Sequence, residues 1–212
     1  MITSIRELYQ LGTEEFYFQV VILIFAIALM IERAYALYFK DSVNARAFLA
    51  EIQKRVMADK IDEAVRMCTE RPLDSVVKAG LLKADFRIID IEQAMDEASL
   101  EAIPHLEKRI PYLAMLSNAA VLTGLLGTIS GMILCFRAVA GVEPAKKASI
   151  LANGISIAMN ATAFGLMIAI PCVIMHSFYS ARSLKLIDDI KITSAAVVNL
   201  FRIKKAEEEA EL

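Results

Sequence analysis

The chain has 212 residues, 57% of them hydrophobic, with no Trp and a formal net charge of −2. Such a composition lies outside the soluble globular range and points to an integral membrane protein, and the lack of a strongly basic segment argues against nucleic acid as a partner. The three cysteines, Cys68, Cys135 and Cys172, have no metal-ligand spacing, and two of them sit in apolar runs as small hydrophobes.

Residues 1–15 carry Arg6, Glu7, Glu14 and Glu15 among Ile2, Ile5, Leu8, Tyr9 and Leu11. This pattern predicts a short amphipathic helix lying on the membrane surface. Residues 16–39 form a first crossing: Phe16 to Ile31 is free of charge, Glu32 and Arg33 interrupt, and the apolar character resumes through Phe39. Although Ala34-Tyr35-Ala36 mimics a signal-peptide cleavage site, the stretch before it has no basic start and carries two acids, so the segment reads as a retained helix. From 40 to 109 charges are frequent and apolar residues fall at helical spacing, as in Ala47, Ala50, Ile52 and Val56. Arg71-Pro72 divides this region into a helical part ending near Thr69 and another from Leu73, with a third helix from Ile91 through Leu106. So short a region cannot bury a large core alone, which predicts packing of its helices on one another and on equivalent helices of neighbouring subunits.

Two uncharged runs follow, 110–136 and 148–181, joined by a loop over 137–147 with Arg137, Glu143, Lys146 and Lys147. At about 1.5 Å per residue each run crosses a hydrocarbon core of about 30 Å, so the pair predicts a helical hairpin through the membrane. Residues 182–212 continue as a helix and end in a solvated tail from Lys204 to Glu209. Basic residues set the orientation. Arg6, Arg137, Lys146 and Lys147 lie on one side, against Lys40, Arg46, Lys54, Arg55, Lys108, Arg109, Arg182 and Lys185 on the other. The positive-inside rule then places 40–109 and the C-terminus in the cytoplasm, with the N-terminus and the 137–147 loop outside. The expected fold is an all-α membrane protein of three transmembrane helices with long cytoplasmic helical extensions.

Neither crossing of the hairpin is generic lipid-facing sequence. On the second, Ala120, Gly124, Thr128 and Gly131 follow the i, i+4, i+8, i+11 spacing of one helix face, with Ser117 and Gly127 at its edges. Gly127 and Gly131 also form a GxxxG, for which close helix packing is a sufficient explanation. Ala158, Thr162, Gly165 and Ala169 make a matching face on the third crossing, and Pro171 follows as a kink position. Asn160 points about 200° away from Thr162, on the side of Asn153 and Ser156. An amide facing lipid is costly, so Asn160 is expected to hydrogen-bond within the subunit or to a neighbour. His176 reads as an interfacial residue and His105 as a solvated one. Neither run of the hairpin contains Asp, Glu, Lys or Arg. With no phosphate-binding loop, zinc-type cluster or nucleophile beside a base, the chain reads as a non-enzyme without a cofactor.

Ile103-Pro104-His105-Leu106-Glu107-Lys108-Arg109-Ile110-Pro111-Tyr112-Leu113, then Gly124-Leu125-Leu126-Gly127-Thr128-Ile129-Ser130-Gly131-Met132, then Asn160-Ala161-Thr162-Ala163-Phe164-Gly165-Leu166 with Ala169-Ile170-Pro171, resemble the MotA/TolQ/ExbB proton-channel family. The likeness is greatest to the ExbB/TolQ branch and extends to Ile31-Glu32-Arg33-Ala34, Arg71-Pro72-Leu73 and Ala79-Gly80-Leu81, so it covers roughly Val20 to Tyr179. Three crossings suit that branch better than MotA, which has four. The resemblance implies a ring-shaped homo-oligomer, a pentamer, in the bacterial inner membrane. Its second and third crossings would surround a dimeric ExbD/TolR-like partner with one membrane helix per chain, bearing an aspartate. It implies further that Thr128 and Thr162 line the ion path, and that a TonB-, TolA- or motility-type protein lies downstream.

The sequence departs from the family pattern twice. Ile157 stands five residues before the second threonine, where ExbB and TolQ have a glutamate, and Val121-Leu122-Thr123 replaces a proline that often precedes the first motif. Three readings therefore stand side by side: a proton-driven stator for envelope transport, a motility motor that sodium could also drive, and a structural membrane scaffold whose hydroxyls only pack helices.

Overall fold

The computed structural model describes residues 14–41 and 43–210. The amphipathic helix expected over 1–15 falls almost wholly outside them. Every regular element among the described residues is helical: α1 Glu14–Tyr35, a π-helical turn Ala36–Lys40, α2 Ala45–Met57, α3 Ile61–Met67, α4 Pro72–Leu81, α5 Ile88–Glu107, α6 Ile110–Val139 and α7 Pro144–Ala210. Three helical stretches, containing α1, α6 and α7, are long and apolar enough to cross a membrane. The described residues divide into two compact units, the first running to residue 32 and resuming over 109–177, the second beginning at residue 33, ending at 108 and resuming from 178. Helix α7 contributes to both.

In the first unit, α6 and the first half of α7 form an antiparallel pair. Both helices extend beyond their apolar runs, and only residues 140–143 connect them. Pro144 opens α7, where its missing N–H costs nothing and its fixed φ suits the first helical turn. α7 then continues through Pro171 as one helix. α1 lies on this pair through a core of Ala26, Ala120, Ile168, Ala169 and Cys172, flanked by Ile22, Leu23 and Phe164. Phe18, Ile24, Phe25, Leu122, Met159 and Met167 are each at least 60% exposed. So much exposed apolar surface would drive aggregation in water, whereas in a bilayer it meets a solvent of its own polarity.

The first unit ends on a charged pair, with Arg109 Nη1 donating to Glu32 Oε1 at 2.6 Å. That carboxylate pushes the Arg109 pKa above its ordinary value, so the guanidinium stays cationic. Arg109 also has φ 68° and sits between α5 and α6, which breaks what would otherwise be one continuous helix.

The second unit is a helical cluster around buried Ile52, Val56, Val77, Ile91, Met95 and Phe201. α4 starts at Pro72, and Arg71 before it is extended with ψ 151°, as the steric demand of a following proline requires. One difference from the sequence reading is internal: the part expected to run as far as Thr69 is two helices, α2 and α3. The break falls at residues 58–60, where Asp59 takes the left-handed φ of 59° that a short polar side chain tolerates. Lys204 Nζ reaches back to Asp59 Oδ1 at 2.6 Å and ties the C-terminal part of α7 to this turn.

Candidate functional site

The small residues on α6 and α7 pack against each other, and their contacts run down one helix as they run up the other. Ser117 Oγ donates to the Ala169 carbonyl at 3.0 Å, and Thr162 Oγ1 donates to the Gly124 carbonyl at 3.1 Å. Farther along, Cys135 Sγ lies 3.7 Å from the carbonyls of Ile150 and Leu151. Between these points the backbones nearly touch. A Cβ on Gly165 would lie 2.6 Å from the Ala120 carbonyl oxygen and 3.1 Å from Gly124 Cα, and one on Gly131 would lie 3.2 Å from Ala158 Cβ. Glycine and alanine are therefore required here by proximity, the same physics that gives small-residue motifs their role in membrane helix packing.

Most of the residues expected at the site take part in this seam. Gly124, Gly127, Ala158 and Gly165 are buried and Gly131 is half-buried. Thr162 is half-buried and anchored across the seam. Thr128, one turn beyond Gly124 and also half-buried, donates instead to the Leu125 carbonyl of its own helix at 2.6 Å. Asn153, Ser156 and Asn160 are all exposed, on the face of α7 turned away from the seam. Ile157, at the position of the missing glutamate, is half-buried.

One polar residue was not anticipated. Gln19 of α1 is 1% exposed, and its Nε2 donates to the Ala161 carbonyl at 3.0 Å. The same nitrogen would lie 3.3 Å from a Cβ on Gly165 and 3.4 Å from one on Gly124, so the amide fills space that both glycines vacate. A single amide in the charge-free run from Phe16 to Ile31 was the only signal for it in the sequence.

Chemically, the seam offers dipoles and no charge. A threonine hydroxyl that donates to a carbonyl keeps its lone pairs as acceptors, so it can receive a hydrogen bond from a water or a protonated carboxyl, but it does not titrate near neutral pH. Among the described residues no group of His, Cys, Asp or Glu could hold a metal ion.

A profile of the MotA/TolQ/ExbB proton channel family matches residues 41–192. The chain belongs to this family. Members similar to it include the Tol-Pal system protein TolQ of Pseudomonas aeruginosa, 40% identical over 97 residues that make up 46% of this chain and 42% of that protein. The biopolymer transport protein ExbB of Aquifex aeolicus is 34% identical over 94 residues, 43% of this chain and 60% of that one. The matched segments thus span less than two thirds of these relatives' length. In three dimensions the chain resembles a structure of Campylobacter jejuni MotAB with a TM-score of 0.65 at 16% identity, covering 84% of this chain and 69% of that one. The family is one of membrane channels, and its helical fold is the fold seen here.

Proposed function

We propose that this chain is the ring-forming subunit of a proton-driven stator in the bacterial inner membrane, converting the proton motive force into mechanical work for envelope transport or motility. The observation that carries the reading is the seam itself. Thr162 holds a hydroxyl between two crossings that contain no carboxylate, so a titrating group has to come from another helix. An ExbD/TolR-like partner with a membrane aspartate would supply it. An aspartate is expensive to leave charged in the membrane, and once protonated it can donate to the hydroxyls facing it at successive positions. Five copies around two partner helices would give those positions, with Thr128 and Thr162 lining the ion path and Asn160 meeting a neighbouring subunit. The relatives' names, a Tol-Pal system protein and a biopolymer transport protein, support this class of work.

Affinity purification of the tagged chain in mild detergent, followed by native mass spectrometry, is expected to show five copies with a small single-helix protein bound. A folded monomer that recovers no such partner would count against the assembly. The proposed orientation has the N-terminus and residues 137–147 outside, and residues 40–109 with the C-terminus in the cytoplasm. Impermeant thiol reagents applied to intact cells should then label a cysteine at Val142 and spare one at Asp62. Labelling at Asp62 would reverse the topology.

A further inference from the structure

Gln19 has a feature that packing alone does not explain. Its amide nitrogen is satisfied by the Ala161 carbonyl, but its Oε1 is buried with no hydrogen-bond partner. Buried polar atoms are nearly always paired, because leaving one unpaired forfeits its solvation without return. A leucine in its place would fill similar space in an apolar environment and leave nothing unsatisfied. The bond Gln19 does make falls on the residue next to Thr162, in the same seam where Thr162 bonds Gly124. Gly124 and Gly165 leave room at this point for the amide, so the first crossing, the second and the third all meet at one polar node.

We propose that Gln19 is a positioning residue for the ion path. Through the Ala161 carbonyl it fixes the rotational setting in which the third crossing presents Thr162, and its free Oε1 is an acceptor that a hydroxyl or water donor fills during conduction. This rests on the stator reading above, and deepens it by bringing the first crossing into the site. Because Gln19 acts through Ala161 and Thr162 and carries no proton itself, the effect of replacing it depends on what the substitute can donate and accept.

The test uses the full-length chain with its co-purified partner, reconstituted in liposomes that enclose a pH-sensitive dye, under an imposed pH gradient. Gln19→Leu is expected to form the same oligomer by native mass spectrometry and to conduct at least tenfold less than wild type. Gln19→Glu supplies a second, diagnostic readout. Its protonated carboxyl can still donate to the Ala161 carbonyl and still offers an acceptor, whereas the carboxylate cannot donate and is a buried charge. Conduction by Gln19→Glu should therefore approach wild type at acidic pH and fall as pH rises, with the oligomer intact, over a range where wild type changes little. Wild-type conduction with Gln19→Leu within twofold of it would overturn the assignment, as would a Gln19→Glu profile that follows wild type at every pH. Dissociation of Gln19→Leu into monomers would also overturn it, by reducing Gln19 to a packing role. A wild-type complex that does not conduct refutes the stator reading itself, and the role of Gln19 with it.

Discussion

Replacing Thr162 with valine is expected to leave the complex assembled and to reduce its ion-driven output at least tenfold. Valine keeps the branched shape and removes one hydroxyl, which here donates to the Gly124 carbonyl at 3.1 Å. Interhelical hydrogen bonds of this kind in membranes contribute about 0.6 kcal/mol on average, a small part of the roughly 5–15 kcal/mol that holds a folded protein together. Gly124, inside α6, keeps its place in the helical hydrogen-bond ladder, so the carbonyl is not stranded. The fold survives for these reasons, and what disappears is the group able to receive a hydrogen bond from the carboxyl of the proposed partner. Thr128→Val should weaken output similarly while disturbing packing less, since that hydroxyl bonds only within its own helix. A scaffold whose hydroxyls merely pack helices predicts near-normal output from both valine variants. Measuring oligomer size and output on the same preparations separates the two readings.

A methyl group at Gly165 should have the opposite signature, loss of assembly and output together. The added Cβ would meet the Ala120 carbonyl oxygen at 2.6 Å and Gly124 Cα at 3.1 Å, both backbone atoms with no side chain to swing aside. The helices must separate, and the bonds from Thr162 to Gly124 and from Gln19 to Ala161 stretch with them. Overpacking of this kind costs about 1–3 kcal/mol, and for a chain of this length each kcal/mol lowers Tm by roughly 2–4 °C. Gly124→Ala meets the third crossing at 3.2 Å and should cost less. Gly141→Ala meets nothing within 4 Å and serves as the neutral control. Thermal unfolding that fails to rank Gly165 first would contradict the close approach.

Much of the seam was legible before any coordinates, because a hairpin needs only helical periodicity to bring Gly124 and Gly165 onto facing stripes. Ser117 and Gly127, at the edges of that stripe, are buried as well, Ser117 through its bond to the Ala169 carbonyl. Gln19 was not legible. An amide in an apolar run gains its meaning from what it meets, and its partner Ala161 lies 142 residues away. The break at residues 58–60 was missed for a different reason: a single left-handed aspartate ends a helix without any proline or glycine to mark it. The role proposed for the threonines rests on motif resemblance, because periodicity places a hydroxyl on a face without saying what passes along it.

Ion flux through the reconstituted complex is the most direct measurement of the central claim. Liposomes carrying the chain with the proposed single-helix partner should take up protons when a pH gradient is imposed, with the chain alone silent and Thr162→Val at least tenfold slower than the wild-type complex. A sodium gradient of the same size, with no pH difference, should move nothing. Equal proton uptake with and without the partner, or none in either, would contradict the account.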